Sequence, residues 1–203
     1  MTADIITGSV GTPEECRKAI RREKLAARKA LTPAVRREAD DRITDRLRHL
    51  FATEDFTTIA GFITDGTEPD LTPVLAEALA AGKTLCLPRF KDAEHYDMVH
   101  VRSLTLAGEK FGIPEPGPED PVIADDLLKN AVWLVPGVAF DTWCRRIGRG
   151  KGVYDRLLSS RQPKLAIGIF YECQKCSSIP SEQHDQPLDL IVTEDRCYMA
   201  SSR

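Results

Sequence analysis

The chain has no excess of either charge. Its 28 Lys and Arg stand against 31 Asp and Glu, giving a net charge of −3 and a pI near 5.9. A general nucleic-acid or membrane-surface binder needs a sustained positive field, so both classes are disfavoured. No apolar run approaches the roughly 20 residues of a membrane span. The N-terminus also lacks the basic-then-apolar pattern of a secretory signal, so a cytoplasmic location is expected. The histidines (His49, His95, His100, His184) fall at no metal-binding spacing. Cys173 and Cys176 form a lone Cys-x-x-Cys with no second pair, which argues for free thiols rather than a zinc site. No Ser/His/Asp or Cys/His constellation for covalent catalysis is evident, and there is no internal repeat. What remains is 203 residues with 42% hydrophobic content, enough for a single domain over 12–203 behind a flexible tail at 1–11.

The most informative stretch runs from Val135-Pro-Gly-Val-Ala-Phe-Asp141 into Arg146-Ile-Gly-Arg-Gly-Lys-Gly-Val-Tyr-Asp-Arg156. It reads as a buried strand, a tight turn and a glycine-rich basic loop that opens a helix. Glycines let backbone N–H groups approach a ligand closely. Arg149 and Lys151 add positive charge, and the helix turns its positive end to the same place. The combination suits a polyphosphate, with Asp155 one turn into the helix as a carboxylate for a bridging divalent cation. Neither common nucleotide fingerprint is present, because Gly152 follows Lys151 and no Gly-x-Gly-x-x-Gly occurs. The residues alone therefore leave a solvated surface turn as the alternative.

Thr12-Pro13-Glu14-Glu15 is a capping box that starts a helix running to about residue 30. Its Arg17, Arg21, Lys24 and Arg28 share one face, for which a solvated face is the plain reading. Thr32-Pro33 opens a second helix carrying Val35, Ala39, Ile43, Leu47 and Leu50 at helical spacing. Strands are expected over 57–63, 84–87 (ending at Pro88), 96–101, 132–135, 165–170 and 190–193. Helices are expected over 72–81 and 153–159, and 108–118 reads as a Gly/Pro-rich loop. Short apolar strands alternating with helices predict an α/β fold: a mostly parallel sheet with helices on both faces, a Rossmann-like three-layer α/β/α arrangement preceded by an N-terminal helical pair. Ligands of such sheets bind beyond the carboxyl ends of the strands, where the loops after Ile63, Val135 and Phe170 would meet. Phe90, Tyr96, Met98 and Phe111 could wall a flat heterocycle there, although core packing suits most of them better.

The glycine-loop sequence resembles the signature of the 5-formyltetrahydrofolate cyclo-ligase family. Three further stretches agree in order: Arg17-Lys-Ala-Ile-Arg21, Glu68 shortly after Phe62-Ile63, and the ending from Ile179-Pro-Ser-Glu-Gln-His-Asp185 through Asp189 to Glu194. The resemblance spans about 16–194. It implies ATP as co-substrate, contacted by Arg17, Lys18, Arg21, Arg146, Gly148, Arg149, Gly150, Lys151, Gly152 and Tyr154. It also implies a folate contacted by Ile63, Glu68, Arg149, Gly150, Lys151 and Gly152, and Mg²⁺ held by Asp155 and Asp185. Lys151, Arg149 and Glu68 would then be the catalytic groups, with His184 orienting the site. The implied partners are small molecules, with no nucleic acid and no membrane, and the protein is expected to be a monomer. Tyr154 has a core role and Asp185 a turn role as alternatives. A non-catalytic nucleotide- or folate-binding regulator on the same scaffold is the rival function; a sugar-phosphate isomerase-like enzyme is a second. Two positions depart from the family pattern. Cys144 stands where a glycine is usual, and Val153 replaces the first tyrosine of Gly-Tyr-Tyr-Asp.

Overall fold

The computed structural model describes residues 12–92, 95–183 and 185–200. The expected tail at 1–11 and His184 lie outside the described residues. Helix α1 (Pro13–Ala30) begins at the capping box, with Thr12 N–H bonding Glu15 Oε2 at 2.7 Å and Glu15 N–H bonding Thr12 Oγ1 at 3.2 Å. Helix α2 (Pro33–Thr53) follows after Thr32, whose hydroxyl accepts from Val35 N–H.

A seven-stranded sheet comes next. In chain order its strands are β1 (Thr58–Ala60), β2 (Thr84–Phe90), β3 (Tyr96–Val101), β6 (Val132–Val135), β9 (Leu165–Ile169), β10 (Leu190–Val192) and β11 (Cys197–Met199). Two small hairpins stand apart, β4 (Gly108–Lys110) with β5 (Ile113–Glu115), and β7 (Ala139–Phe140) with β8 (Arg146–Ile147). Helices α3 (Thr72–Ala80), α4 (Asp125–Lys129) and α5 (Val153–Arg161) complete the set. Across the sheet the order is β11-β10-β9-β6-β1-β2-β3. The five central strands are parallel, and both edges, β3 and β11, are antiparallel.

Side-chain alternation sorts the core into two layers. Ile59, Leu85, Leu87, Val132, Leu134, Ile167, Ile169, Leu190 and Val192 face α2 and α3, meeting Ile43, Leu47, Val74 and Leu75. The intervening Ala60, Cys86, Trp133, Val135, Ala166 and Ile191 face α4 and α5, meeting Leu128, Leu157 and Leu158. This is the period of two that a strand buried on both faces requires.

Several expectations need correction. Strand β2 runs through Pro88 to Phe90. Cys86 bonds toward β1 through its carbonyl, so Pro88, two residues on, turns its nitrogen past the end of β1, where no donor is needed. The expected loop at 108–118 contains the β4–β5 hairpin, turned by Phe111 (φ 55) and Gly112 (φ 76). The tight turn after Val135 is elaborated into the β7–β8 hairpin. The loop after β9 does not join the others at the cleft. It forms a 3-10 turn (Glu172–Gln174) that packs against α1, and Gln174 Nε2 bonds the carbonyls of Gly137 and Val138 at 3.0 and 2.9 Å.

The largest correction concerns α1. Its buried residues are Arg17 and Arg28, whereas its apolar Cys16, Ile20 and Ala27 are only half-buried and Ala19 is exposed. Arg17 is 5% exposed and Arg28 only 1%, while the Lys24 side chain is 14% exposed. The basic face expected to be solvated is the face that docks.

Candidate active site

The parallel strands follow the spatial order 2-1-3-4-5 when numbered among themselves, and the order reverses between β1 and β6. At such a switch point the two following loops diverge to opposite faces and leave a crevice. Here a cleft of about 600 Å³ opens at that place. Phe62, Ile63, Asp65 and Glu68 line it from the loop after β1. Pro136 and Gly137 line it from the loop after β6, and Lys110 and Phe111 from the β4–β5 hairpin. Arg146, Gly148, Arg149, Lys151, Gly152, Val153, Tyr154 and Asp155 supply much of the remaining wall, with Pro88 and Tyr96 from β2 and β3.

The β7–β8 hairpin explains how the loop is held. Asp141 is fully buried. It accepts from the N–H groups of Trp143, Arg145 and Ile179 at 3.0, 3.2 and 3.0 Å, and from Arg145 Nε at 2.8 Å. The aspartate that closes the Pro-Gly-Val-Ala-Phe-Asp motif is thus a backbone organiser. Cys144 lies in the same turn at φ 59, a left-handed conformation that glycine adopts without strain. Beyond the hairpin, Gly150 (φ 100) and Gly152 (φ 61) take conformations that L side chains rarely adopt. Gly152 also caps α5, so the first N–H groups of that helix meet the cleft.

Charge is arranged in linked pairs. Arg146, 4% exposed, donates from Nη2 to Asp155 Oδ1 at 2.8 Å. Burial lowers its pKa, with Asp155 opposing that shift. Arg17 forks onto Asp185 at 2.7 and 3.1 Å and bonds the Pro180 carbonyl at 2.8 Å. Burial is the largest single influence and works against the Arg17 charge, but the Asp185 bond together with the charges of Asp185, Glu182 and Asp155 outweighs it, so the pKa is raised. Gln186 N–H lies 3.4 Å from Asp155 Oδ1, which brings the Asp185 segment against Asp155. Arg21 Nε bonds the Gly148 carbonyl at 3.0 Å and so ties α1 to the glycine loop. Arg149 reaches across the cleft to Asp65 and to Glu68 Oε1, the latter at 3.1 Å. Burial opposes the Asp65 charge, yet the Thr67 hydroxyl and N–H and then Arg149 hold its carboxyl well below the usual range. Tyr154 has its phenol pKa pushed up by burial and by Glu68, and its ring stands 6.0 Å from the Arg146 guanidinium.

The structure thus gathers Ile63, Glu68, Arg146, Gly148, Arg149, Lys151, Gly152, Tyr154 and Asp155 around one cleft. Gly150 sits in the same loop, its α-carbon region facing the Arg21 guanidinium. Arg17 and Arg21 support the wall from behind. Lys18 is exposed on α1 and lines no part of the cleft. Asp185 faces a second, more polar cleft with Trp143, Arg145 and Glu182. Of the side chains considered as walls for a heterocycle, Phe90 and Tyr96 pack edge to face at 5.6 Å, Tyr96 also lines the cleft, and Met98 is buried. Phe111, by contrast, is 70% exposed beside Lys151, whose ammonium lies 5.5 Å from its ring centre. Arg28 and Asp65 had no place in the sequence reading of the site. The available signal for Arg28 was its four-residue step from Lys24 on the basic face, which the usual solvation of charge runs outweighed.

An open α/β sheet with a cationic glycine loop facing carboxylates at its switch point is the framework of an enzyme for small anionic molecules. Residues 13–194 match the 5-formyltetrahydrofolate cyclo-ligase family, and the chain belongs to it. The 5-formyltetrahydrofolate cyclo-ligase of Escherichia coli (strain K12) is 28% identical over 177 residues, covering 84% of this chain and 96% of the relative. A probable 5-formyltetrahydrofolate cyclo-ligase of Schizosaccharomyces pombe is 33% identical over 133 residues, 59% of this chain and 65% of the relative. The solved structure of Aquifex aeolicus 5,10-methenyltetrahydrofolate synthetase superimposes with a TM-score of 0.79 at 31% identity, covering 92% of this chain and 94% of that one. Among the described residues, no helix is long and apolar enough to cross a membrane.

Proposed function

We propose that the chain converts 5-formyltetrahydrofolate to 5,10-methenyltetrahydrofolate with Mg²⁺ and ATP, releasing ADP and phosphate. Family membership supports the reaction. The observation that carries the site assignment is the direct contact of Arg149, from the glycine loop, with Glu68 at 3.1 Å. A phosphate bound by the loop and a folate bound at Glu68 would therefore be neighbours in one cleft.

In this reading the γ-phosphoryl group of ATP moves to the formyl oxygen, and ADP leaves. Nitrogen 10 then attacks the activated carbon and loses its proton. The carbon–oxygen bond breaks, and phosphate departs as the amidinium forms. The protein positions the reactants and stabilises charge rather than forming a covalent intermediate. Lys151 and Arg149, with the loop N–H groups, oppose charge building on the transferred phosphoryl group. Arg146 holds the wall beneath them. Arg17 and Arg21 fix the nucleotide-binding segments, whereas Lys18, exposed on α1 outside the cleft, has no contact in this reading. Glu68 and Ile63 bind the folate, with Gly148, Gly150, Gly152 and Tyr154 shaping the junction.

Asp155 and Asp185 are hard oxygen donors on adjacent segments beside the loop, and as such they fit Mg²⁺. Bound there, the ion would shield charge between phosphate oxygens. The enzyme is proposed to act as a cytoplasmic monomer. The test is purified protein with 5-formyltetrahydrofolate and Mg-ATP, following the methenyl chromophore. Chromophore formation that needs all three is expected. Full formation without nucleotide would refute the reaction.

A further inference from the structure

Arg28 belongs to none of the motifs that mark the site, yet among the described residues it is the most deeply buried cation, 1% exposed. It projects from the last turn of α1 into the loop after β1. Its Nη1 lies 3.5 Å from Glu68 Oε1 and 3.3 Å from the Gly137 carbonyl, and its Nη2 lies 3.5 Å from Asp65 Oδ2. Arg149 meets the same two carboxylates from across the cleft. The two arginines differ in setting. Arg149 is half exposed and flanked by glycines, and it faces the place proposed for phosphates. A phosphate-bearing ligand would compete with Asp65 and Glu68 for it, because a guanidinium fork suits either anion. Arg28 sits on a helix, is closed off from solvent, and has no route to the loop's ligand. It is the counter-charge that stays when Arg149 turns to phosphate.

We infer that Arg28 is a positioning residue for Glu68: it anchors the carboxylate that contacts folate, leaving Arg149 free to serve the transferred phosphoryl group. The inference rests on the proposed role of Glu68. It also accounts for an otherwise costly feature. A helix that buries arginines needs partners for the buried charge; Asp185 supplies them for Arg17, and the Asp65–Glu68 pair supplies them for Arg28.

The alternative is that Arg28 only fastens α1 to the sheet. A double-mutant cycle separates the two. Wild type, Arg28→Gln, Arg28→Lys, Glu68→Gln and Arg28→Gln/Glu68→Gln are compared for kcat/KM with 5-formyltetrahydrofolate and for KM with Mg-ATP. Folate binding by calorimetry carries the same cycle where turnover is too slow to time. Arg28→Gln is expected to lower the folate kcat/KM roughly 10- to 100-fold, the scale of a misplaced reacting group, with little change in ATP KM. Arg28→Lys is expected to restore part of the loss. In the Glu68→Gln background the same change should cost no more than about threefold, because the group it positions is gone. Equal losses in both backgrounds, or no loss in either, overturn the positioning role while the activity stands. Full activity in Glu68→Gln overturns both residues' roles. Absence of turnover in wild type overturns the reaction and, with it, this inference. If Arg28→Gln does not fold, the cycle run with Arg28→Lys decides by the same criterion.

Discussion

Asp155→Asn tests the centre of the site, because two different jobs meet on one carboxylate. Asp155 is the sole ion-pair partner of Arg146 among the described residues, at 2.8 Å, with the two side chains 2% and 15% exposed. Arg146 cannot discharge to escape a lost partner. At this separation the Coulomb attraction is at most about 6 kcal/mol in an effective dielectric near 20. Removing one partner of a buried pair outright costs about 3–5 kcal/mol. The asparagine keeps an oxygen in place to accept from Arg146 Nη2, so part of that is retained, and a loss of about 2 kcal/mol is expected. For a chain of this size that is a fall in Tm of roughly 4–8 °C. The effect should appear in the free protein without nucleotide or metal, measured by urea unfolding. It should shrink in an Arg146→Met background, where no buried charge is left unpaired. Separately, a Mg²⁺ titration at fixed ATP should show the variant needing more metal, because an amide is a weaker ligand for a hard cation. An unchanged unfolding midpoint with superimposable Mg²⁺ curves would refute both assignments. Loss of stability alone would leave Asp155 as a partner of Arg146 and nothing more.

Lys151→Ala should lower kcat about 10²- to 10³-fold while leaving folate affinity, measured by calorimetry, near wild type, since its charge opposes one that develops during transfer; equal turnover at saturating ATP would exclude the role. Asp40, half-buried, has its carboxyl pushed up to about 6 by burial, against the opposing bond from Tyr171 Oη at 2.7 Å. Between about pH 4 and 6 the folded chain keeps a proton that the unfolded chain has released, so this group's stabilisation is present at low pH and lost as pH rises through 6. Asp40→Asn keeps the acceptor for Tyr171 and for Asp70 N–H, and it should gain about 1 kcal/mol on wild type between pH 4.5 and 7.5 after allowing for partial solvent screening; a pH-independent gap in urea unfolding would contradict this. Cys144→Gly should change stability by less than about 1 kcal/mol, because relief of the left-handed conformation offsets loss of the buried thiol. Cys144→Val should cost about 2 kcal/mol or more, since a β-branched residue fits φ 59 poorly; equal stabilities by thermal unfolding would remove the strain argument.

What the sequence could and could not disclose follows from the range of each interaction. The capping box of α1, the strands at 96–101 and 132–135, and the alternation that buries both sheet faces are set by neighbours within a few residues, and the pattern carries them. So does the glycine loop, because the conformation it needs restricts residue choice directly. The elements that escaped notice depend on partners far along the chain. Strand β11 exists because Cys197–Met199 finds β10, and the β7–β8 hairpin because Asp141 collects N–H groups as distant as that of Ile179.

The basic face of α1 shows the limit most clearly. Charge spacing on one helix cannot distinguish water from a carboxylate as the partner. Asp185 lies 168 residues from Arg17, and Glu68 lies 40 positions beyond Arg28. The family resemblance supplied Arg17 and Arg21, which occupy the motif, but not Arg28, which does not. That difference also explains why the helix lies where it does. Its docking depends on ion pairs with two separate segments of the active-site wall, so residues 12–30 are part of the site's construction and not a cover laid over a finished α/β domain. A change on α1 should therefore register in ligand affinity before it registers in the unfolding of the sheet.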